Sequence, residues 1–239
     1  MLGDLSLGDV PRIAAPVSDV DIARHTDLVR RYADIIELRI DRFARHEVAS
    51  TTAVCTAARG GGLPLIATIR SAAEGGAVEL PDAQRLALFD AVIPHVDAID
   101  IELQASICGP VVAMAHRRGK LAIVSHHDFT GTASDAELAG FADGAAAADA
   151  DVIKLAAHAT DRDDVDRLLA LLRAYRERGA VVIAMGPYGV ASRVFFPLLG
   201  SLITYGFVGQ AGAPGQLPLE QLHAELCRYS PPFAAAHAR

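Results

Sequence analysis

The sequence predicts an α/β protein that folds as a (β/α)8 TIM barrel. Short, continuously apolar segments alternate with longer amphipathic segments along the chain. Continuous apolarity is typical of parallel strands that are covered on both faces. About eight strand–helix repeats can be counted, which is the number that such a barrel requires. A doubly wound open sheet is the alternative, but no glycine-rich turn follows the first predicted strand.

Eight segments are predicted to be strands, because each is short, apolar and partly β-branched. The glycine-rich piece ARGGGLP at 58–64 precedes one of them, so we interpret it as a loop and not as a phosphate-binding turn. The predicted strands are RIAAPV from Arg12, DIIELRI from Asp34, LPLIATI from Leu63, AIDIEL from Ala98, KLAIVSHHD from Lys120, DVIKLAA from Asp151, AVVIAM from Ala180 and LITYGFV from Leu202.

Helices are predicted from capping signals and from apolar periodicity. Ser18 and Ser134 are candidate N-caps, and Glu137 follows the second at capping-box spacing. Pro81 favours a first helical turn, and Gly179 suits the position after a helix end. The predicted helices cover residues 19–31, 82–93, 135–148, 161–178 and 218–229.

The composition indicates one globular domain with a substantial core. The chain has 239 residues, of which 51% are hydrophobic. We therefore expect a single barrel domain over 1–239, with a loosely ordered tail from about residue 230. The net charge is −7 and lysine and arginine do not cluster. This pattern argues against nucleic acid or an anionic membrane as a partner.

The cysteines and the N-terminus indicate a cytoplasmic protein. Cys55, Cys108 and Cys227 are odd in number and far apart, which is typical of reduced thiols and not of a disulfide framework or a zinc site. The N-terminus lacks a basic region followed by an apolar run, so no signal peptide is predicted. No apolar run approaches the length that spans a bilayer.

Ionisable residues collect at the ends of the predicted strands, where a barrel carries its chemistry. Glu37 and Arg39 share one parity, so they point to the same side and would face each other inside the lumen. Asp100 and Glu102 repeat this arrangement on the fourth strand. Isolated charges there would cost several kcal/mol each, so we expect them to be paired or functional.

Lys154 lies in the middle of an apolar strand, in DVIKLAAHA at 151–159. It either snorkels to solvent, forms a structural ion pair or is a desolvated amine. In the last case burial would lower its pKa and leave a neutral nucleophile that forms a Schiff base with a ketone or aldehyde. His126 and His127 end the neighbouring strand, and at most one of them points into the lumen as a proton shuttle.

Seven motifs, in order and over nearly the whole chain, resemble the type I 3-dehydroquinate dehydratase family, the Schiff-base enzymes of the shikimate pathway. Each motif alone is weak, and the combination is strong. The motifs are ELRID at 37–41, TIRSAAEGG at 68–76, SHHDFTGT at 125–132, DVIKLA at 151–156, MGPYGVASR at 185–193, GSLITYG at 200–206 and APGQ at 213–216.

The resemblance implies a role for each matching residue. Lys154 is similar to the Schiff-base lysine, His127 to the general acid and base, and Glu74 to the carboxylate that orients it. Arg193 resembles the arginine that binds the substrate carboxylate. The implied substrate-binding residues are Glu37, Arg39 and Arg70 near the ring hydroxyls, Arg193, Met185 and Tyr205 as pocket walls, with Phe frequent at the latter position, and Ala213 and Gln216 on a closing lid.

The implied reaction is a syn elimination of water from 3-dehydroquinate to give 3-dehydroshikimate, catalysed by a carbon–oxygen lyase without a metal or an organic cofactor. The family often forms homodimers, and its activity serves chorismate and aromatic amino acid biosynthesis in the cytoplasm. The same activity also serves quinate breakdown, and the sequence does not distinguish the two roles.

Several positions depart from the family pattern. Gly212 stands where a serine usually helps to hold the substrate, and Ala15 and Pro16 replace a serine that braces the glutamate–histidine pair. Ile183 replaces a methionine, and no proline precedes Lys154. None of these changes affects the lysine, the histidine or the glutamate, but they leave room for an altered rate or substrate.

Three other functions remain open at this point. A class I aldolase also uses a lysine on the sixth strand, although it often binds phosphate on loops that here carry few glycines. His126, His127 and Asp128 resemble metal ligands by composition, but adjacent strand residues face apart. A degenerate, non-catalytic binding domain would have no reason to keep a costly buried amine.

Overall fold

A computed structural model of the chain describes residues 1–238 and shows nine parallel strands in one curled sheet. Eight of them match the predicted strands to within two residues at either end. The ninth is a two-residue strand beside the eighth. The strands are β1 Arg12–Val17, β2 Ile35–Arg39, β3 Leu65–Thr68, β4 Ala98–Glu102, β5 Leu121–Asp128, β6 Val152–His158, β7 Ala180–Met185, β8 Ile203–Phe207 and β9 Leu217–Pro218.

The strands follow one another around a barrel. Each strand from β1 to β6 pairs in parallel with the next, and β8 pairs with β1. The gap between β7 and β8 is closed by a hydrogen bond from the backbone N–H of Leu202 to the carbonyl of Ala180 at 2.9 Å. This arrangement confirms the predicted (β/α)8 fold.

Helices connect the strands and cover the outside of the barrel. The five predicted helices are present, and α2, α4, α7 and α9 are additional. Of these, α2, α4 and α7 begin without a side-chain cap, so no capping signal marks them in the sequence. The helices are α1 Asp19–Tyr32, α2 Val48–Arg59, α3 Asp82–Val92, α4 Cys108–Arg117, α5 Asp135–Ala147, α6 Arg162–Tyr175, α7 Ser192–Leu198, α8 Leu219–Tyr229 and α9 Pro231–Ala236.

The inside of the barrel changes from apolar to polar along five neighbouring strands, β2 to β6. Toward the N-terminal end, small and aliphatic side chains fill the lumen, together with Leu2 from the N-terminal segment. Two residues further along each of these five strands, the same face carries a polar group. The pairs are Ile35 and Glu37, Ile66 and Thr68, Ala98 and Asp100, Ile123 and Ser125, and Val152 and Lys154.

The outer faces of the strands pack against the helices in a larger apolar cluster. On β6, for example, Ile153, Leu155 and Ala157 belong to this cluster, while Lys154 points inward between them. No helix within residues 1–238 combines the length and the apolar character needed to cross a bilayer.

The C-terminal tail is a helix, and the prediction of a loosely ordered segment is wrong for residues 230–238. Ser230 caps α9 by accepting a hydrogen bond from the N–H of Phe233, whose side chain is fully buried. The His237 Nε2 lies 2.9 Å from Asp34 Oδ1. The Ser-Pro-Pro sequence starts this helix, because proline is tolerated in a first turn. Arg239, the last residue of the predicted tail, lies outside the described residues.

Replacement of Phe233 by alanine is expected to lower the free energy of unfolding by about 3 kcal/mol, because it leaves a cavity where a fully buried ring packs. The matched control is Tyr229→Ala on α8, whose ring is 57% exposed, and it should change stability by about 0.5 kcal/mol or less. Urea unfolding of both variants measures the difference. Equal, small effects would mean that the tail does not pack on the barrel.

Candidate active site

A pocket of about 560 Å³ opens at the C-terminal ends of the barrel strands. All eleven site residues predicted from the sequence line it, although they come from seven separate parts of the chain. Their roles stay predictions, but the fold brings them to one place. They are Glu37, Arg39, Arg70, Glu74, His127, Lys154, Met185, Arg193, Tyr205, Ala213 and Gln216.

Lys154 lies at the floor of this pocket and does not reach bulk solvent. Its side chain is 5% exposed. The amine Nζ donates to Asp100 Oδ2 at 2.7 Å and to Glu37 Oε1 at 3.4 Å. It also lies 4.4 Å from the centre of the Tyr205 ring, a cation–π contact. The snorkelling alternative is therefore wrong.

The carboxylates around Lys154 belong to a larger buried network. Asp100 Oδ1 accepts from Arg70 Nη2 at 2.7 Å and from Ser125 Oγ at 2.7 Å. Arg70 Nη1 donates to Glu102 Oε1 at 3.0 Å, and Glu102 also pairs with Arg85. Each charge in this network therefore touches the opposite charge, which offsets the cost of burial.

The network reverses the expected pKa of the lysine. Burial alone would lower the pKa of Lys154, as the sequence analysis assumed. Attraction to Asp100, and then to Glu37, outweighs burial and raises the pKa well above its ordinary value. Burial would raise the pKa of Asp100, but attraction to Arg70, and then to Lys154, holds it far below its usual range. The amine is therefore an ammonium, and the expectation of a neutral amine is wrong.

His127 is a neutral imidazole whose orientation is fixed by Glu74. His127 Nδ1 lies 3.0 Å from Glu74 Oε2, and the backbone N–H of the same histidine donates to that oxygen at 2.8 Å. Burial, and next the charge of Arg70, lowers the pKa of His127 to about 4. Nδ1 therefore carries the proton that Glu74 accepts, and Nε2 is left as the basic atom.

Glu74 is held in place by a tight turn. Burial would raise its pKa, but the neighbouring His126 and His127 imidazoles lower it to about 2, so it is a carboxylate. Gly75 follows with φ of +84°, and a Cβ there would lie 2.6 Å from Phe129 Cε2. At Gly76 a Cβ would meet the carbonyl oxygen of Arg70 at 2.1 Å. The Glu-Gly-Gly sequence thus lets the chain fold back under the histidine.

His126 faces the other way, as expected for the neighbour of an inward strand residue. Its ring stacks on Phe141 of α5 with 3.8 Å between centroids. Within residues 1–238, histidine, cysteine and carboxylate side chains form no group of three that could hold a metal ion. The cluster of His126, His127 and Asp128 is therefore not an assembled ligand set.

Arg193 is a buried cation without an anion. Its side chain is 3% exposed, and its Nη2 donates to the carbonyl of Pro214 at 3.2 Å. Its Nε has no hydrogen-bond partner, and none of the carboxylates in the described part of the chain forms an ion pair with it. Burial lowers its pKa to about 10, so it stays charged at neutral pH. Such a group is suited to receive an anionic ligand.

Glu37 and Arg39 do not form the lumen pair that their shared parity predicted. Arg39 forms a two-point contact with Asp41, from Nε to Oδ1 at 2.9 Å and from Nη2 to Oδ2 at 2.8 Å. Glu37 instead accepts from Thr68 Oγ1 at 2.9 Å and from Lys154. The reason is that each charge has a nearer partner, Asp41 in the turn after β2 for Arg39, and Thr68 and Lys154 for Glu37.

A loop after β8 covers the pocket and carries Gly212, Ala213 and Gln216. The Gln216 side chain accepts from the N–H of Gly212 at 2.9 Å. Arg42 Nη2 donates to the carbonyl of Gly212 at 3.3 Å. A Cβ at position 212 would lie 2.7 Å from Arg42 Nη1, so this guanidinium occupies the space that a side chain would need.

Sequence reasoning did not assign a site role to Asp100 or Ser125. Asp100 was noted only as a lumen charge, and Ser125 as a strand end. Both contact the network directly, with Asp100 at 2.7 Å from the lysine amine. Strand alternation could have placed Asp100 on β4 and Ser125 on β5 on the same face as Lys154. That inference requires the register between the strands, which the sequence does not give.

The chain is similar to known proteins over almost all of its length. A family model described as Type I 3-dehydroquinase matches residues 12–228. The 3-dehydroquinate dehydratase of Thermodesulfovibrio yellowstonii is 32% identical over 90% of this chain and 94% of its own. That of Klebsiella pneumoniae is 37% identical over 89% of each chain.

Solved structures agree with this similarity. The crystal structure of the 3-dehydroquinate dehydratase from Geobacillus kaustophilus superposes with a TM-score of 0.85, at 28% identity, over 96% of this chain and 93% of that one. The type I 3-dehydroquinate dehydratase from Clostridium difficile, crystallised with covalent modified comenic acid, gives a TM-score of 0.87 at 26% identity, over 98% and 96%.

The ion pair of Asp100 and Lys154 can be tested by a double-mutant cycle. Asp100→Asn and Lys154→Met should each lower the free energy of unfolding by about 3 kcal/mol, because each leaves an uncompensated buried charge. The double variant should be more stable than the sum of the two effects predicts, by about 1 kcal/mol or more.

The control cycle uses the exposed pair of Glu225 and Arg228 on α8, with Glu225→Gln and Arg228→Met. There the coupling should be close to zero, because water screens the pair. Urea unfolding of all variants gives both coupling energies. Additive effects at Asp100 and Lys154 would contradict the proposed charge balance.

Proposed function

Because the chain belongs to the type I 3-dehydroquinase family, we infer that it dehydrates 3-dehydroquinate to 3-dehydroshikimate through an imine formed at Lys154. The reaction is that of a carbon–oxygen lyase of the shikimate pathway. The observation that best supports the residue roles is the composition of one pocket. It combines a buried lysine amine, a neutral imidazole and an arginine without an anion.

The substrate is a ring that carries a ketone, hydroxyls and a carboxylate, and the pocket offers a complementary group for each. Arg193 binds the carboxylate, since it is the buried cation that lacks an anionic partner. Glu37 can accept a hydrogen bond from a ring hydroxyl of the substrate, and Arg39 can donate one to a ring hydroxyl. Arg70 already donates to Asp100, Glu102 and Ser125, so it supports the site and holds the carboxylates in place.

Imine formation conserves the positive charge at the lysine nitrogen. The ketone and the ammonium together give an iminium and water, and both protons lost from nitrogen leave with the ketone oxygen. Neutral His127 transfers a proton from nitrogen to oxygen in this step. Asp100 and Glu37 therefore stabilise the reactant ammonium and the product iminium alike, so the raised pKa of Lys154 does not oppose the overall step.

Elimination then uses the same imidazole twice. His127 takes a proton from the carbon next to the iminium, and the electron pair moves to nitrogen to give an enamine. The imidazolium donates this proton to the departing hydroxyl on the following carbon, and the enamine returns to an iminium as water leaves. One base on one face of the ring makes the elimination syn. Water hydrolyses the product imine and restores the lysine.

Glu74 supports both transfers without touching the substrate. As a carboxylate on Nδ1 it fixes the tautomer and stabilises the imidazolium between the two steps. The pocket wall is completed by Met185, Tyr205 and Ala213, and Gln216 braces the covering loop.

The other candidate functions differ from this one in measurable ways. A class I aldolase would cleave a carbon–carbon bond, whereas dehydration yields a conjugated enone that absorbs ultraviolet light. A non-catalytic domain would bind 3-dehydroquinate without turning it over. A metal-dependent enzyme would lose activity with a chelator.

Borohydride trapping tests the covalent step. The chain contains two lysines, Lys154 and Lys120, so the site of attachment can be resolved with two variants. Borohydride added with 3-dehydroquinate should increase the intact mass by one reduced adduct in the wild type and in Lys120→Ala. Lys154→Ala should gain no mass and should lose at least about a thousandfold in kcat.

His127→Ala separates imine formation from elimination. It should still gain the adduct, at a reduced rate, while turnover falls by a factor of about 10²–10⁴, the usual contribution of a general acid and base. Mass spectrometry and the enone absorbance are the two readouts. An adduct on Lys154→Ala, or turnover without any trapped adduct in the wild type, would contradict the imine mechanism.

We also propose that the protein acts in the cytoplasm as a homodimer, as the family resemblance implies. Three large apolar residues close together in the sequence, Tyr188, Val190 and Phe195, are exposed, which supports an interface there. Light scattering should give twice the chain mass of 25.1 kDa. Phe195→Glu should shift the mass toward one chain, whereas Val48→Glu, at an exposed valine elsewhere, should not. A monomeric wild type would contradict this proposal.

A further inference from the structure

Tyr205 on β8 carries a buried hydroxyl without a partner. Its side chain is 4% exposed, and its ring forms part of the pocket wall under the Lys154 ammonium. The Oη atom is enclosed and forms no hydrogen bond of good geometry within residues 1–238, although the Lys154 ammonium lies close enough to act on its pKa. Buried hydroxyls are normally paired, so an unpaired one that lines a pocket indicates a group that arrives with the ligand.

Arg193 lines the same pocket and also carries a buried hydrogen-bond donor without an acceptor. It is buried, its Nε is unpaired, and Tyr205 is the one ionisable side chain that changes its pKa. Both side chains line the same pocket, and each has one buried donor atom without an acceptor, Tyr205 Oη and Arg193 Nε. Burial raises the pKa of Tyr205, although the nearby Lys154 ammonium opposes this, so the phenol keeps its proton and donates.

The covering loop does not supply a side-chain hydroxyl at the position facing this space. Gly212 lines the pocket without a side chain, and Arg42 fills the volume next to its Cα. A serine there would have to displace a guanidinium that also holds the loop carbonyl. The barrel wall, through Tyr205, is where a neutral donor is available.

We propose that Tyr205 and Arg193 together bind the carboxylate of the substrate, with the phenol donating to one oxygen and the guanidinium to the other. This inference rests on the proposed function, because it takes the ligand to be a cyclic keto acid. It makes Tyr205 a specificity-determining residue, and it assigns a purpose to a hydroxyl that a phenylalanine would lack.

The carboxylate does not change charge during the reaction, so this contact is equally strong in the substrate complex and in the transition state. Losing it should raise KM and leave kcat almost unchanged. A phenol that instead acted on the reacting ketone or on the lysine would show the opposite pattern, a lower kcat with little change in KM.

The first test is Tyr205→Phe, which removes one oxygen and keeps the ring over Lys154. KM for 3-dehydroquinate should rise about tenfold, the effect of one hydrogen bond to a charged group, with kcat within about twofold of the wild type. Thermal unfolding of the empty variant should be unchanged or higher, because no hydrogen bond is lost. The matched control is Tyr175→Phe on α6, whose hydroxyl donates to Asp143 away from the pocket, and its KM should not change.

The second test separates the carboxylate from the ketone. Borohydride trapping is compared between 3-oxocyclohexane-1-carboxylate and cyclohexanone, which differ in the carboxylate alone. Tyr205→Phe should raise the half-maximal concentration for the keto acid about tenfold and leave that for cyclohexanone unchanged. Equal effects on both ketones, or no effect on either, would overturn the inference.

The two proposals fail in different ways. If wild-type protein neither turns over 3-dehydroquinate nor traps a keto acid, the proposed function is wrong. If the wild type does both and Tyr205→Phe keeps its KM, the function stands and the role of Tyr205 is wrong.

Discussion

The active site depends on one buried chain of alternating charges. Cations and carboxylates alternate along this chain, and each residue contacts the next. The order is Glu37, Lys154, Asp100, Arg70, Glu102 and Arg85. Three cations balance three carboxylates, so the lumen carries these charges at low cost only while all of them are present. The network ties β2, β3, β4 and β6 together through their side chains. It therefore fixes the height of the lysine in the barrel as well as its charge.

The strands could be predicted from the sequence because parallel strands covered on both faces leave an unmistakable apolar run. Helices were predicted where a serine cap or a proline marks their start, as Ser18, Ser134 and Pro81 do. The helices α2, α4 and α7 begin without a side-chain cap and are held by tertiary packing, which leaves no local signal. The prediction for the C-terminal tail was wrong for a related reason, because a Ser-Pro-Pro sequence is compatible both with an irregular segment and with the start of a helix.

The predicted site residues line one pocket and their roles stay predictions, whereas the protonation state expected for Lys154 is reversed. The neighbours of Lys154 along the strand are apolar, so the local sequence indicates only desolvation, which lowers the pKa of a lysine. The groups that reverse the shift are 54 residues away at Asp100 and 117 residues away at Glu37. Their effect depends on distances between side chains of different strands, which parity alone does not give. The same holds for Arg39, which turns to Asp41 instead of Glu37.

Residue 154 has to meet two requirements. It must carry a positive charge between Asp100 and Glu37, and in the proposed mechanism it must form an imine. An arginine would satisfy the same carboxylates with more hydrogen bonds, and the chain uses arginine for all but two of its 22 basic residues. Arginine, however, does not give up its proton in proteins and cannot form an imine. Lysine supplies the positive charge that Asp100 and Glu37 require, and in the proposed mechanism it retains that charge as an iminium. In that mechanism the carboxylates hold the nitrogen in both states, while the exchange of its protons for a carbon is left to the ligand and to His127.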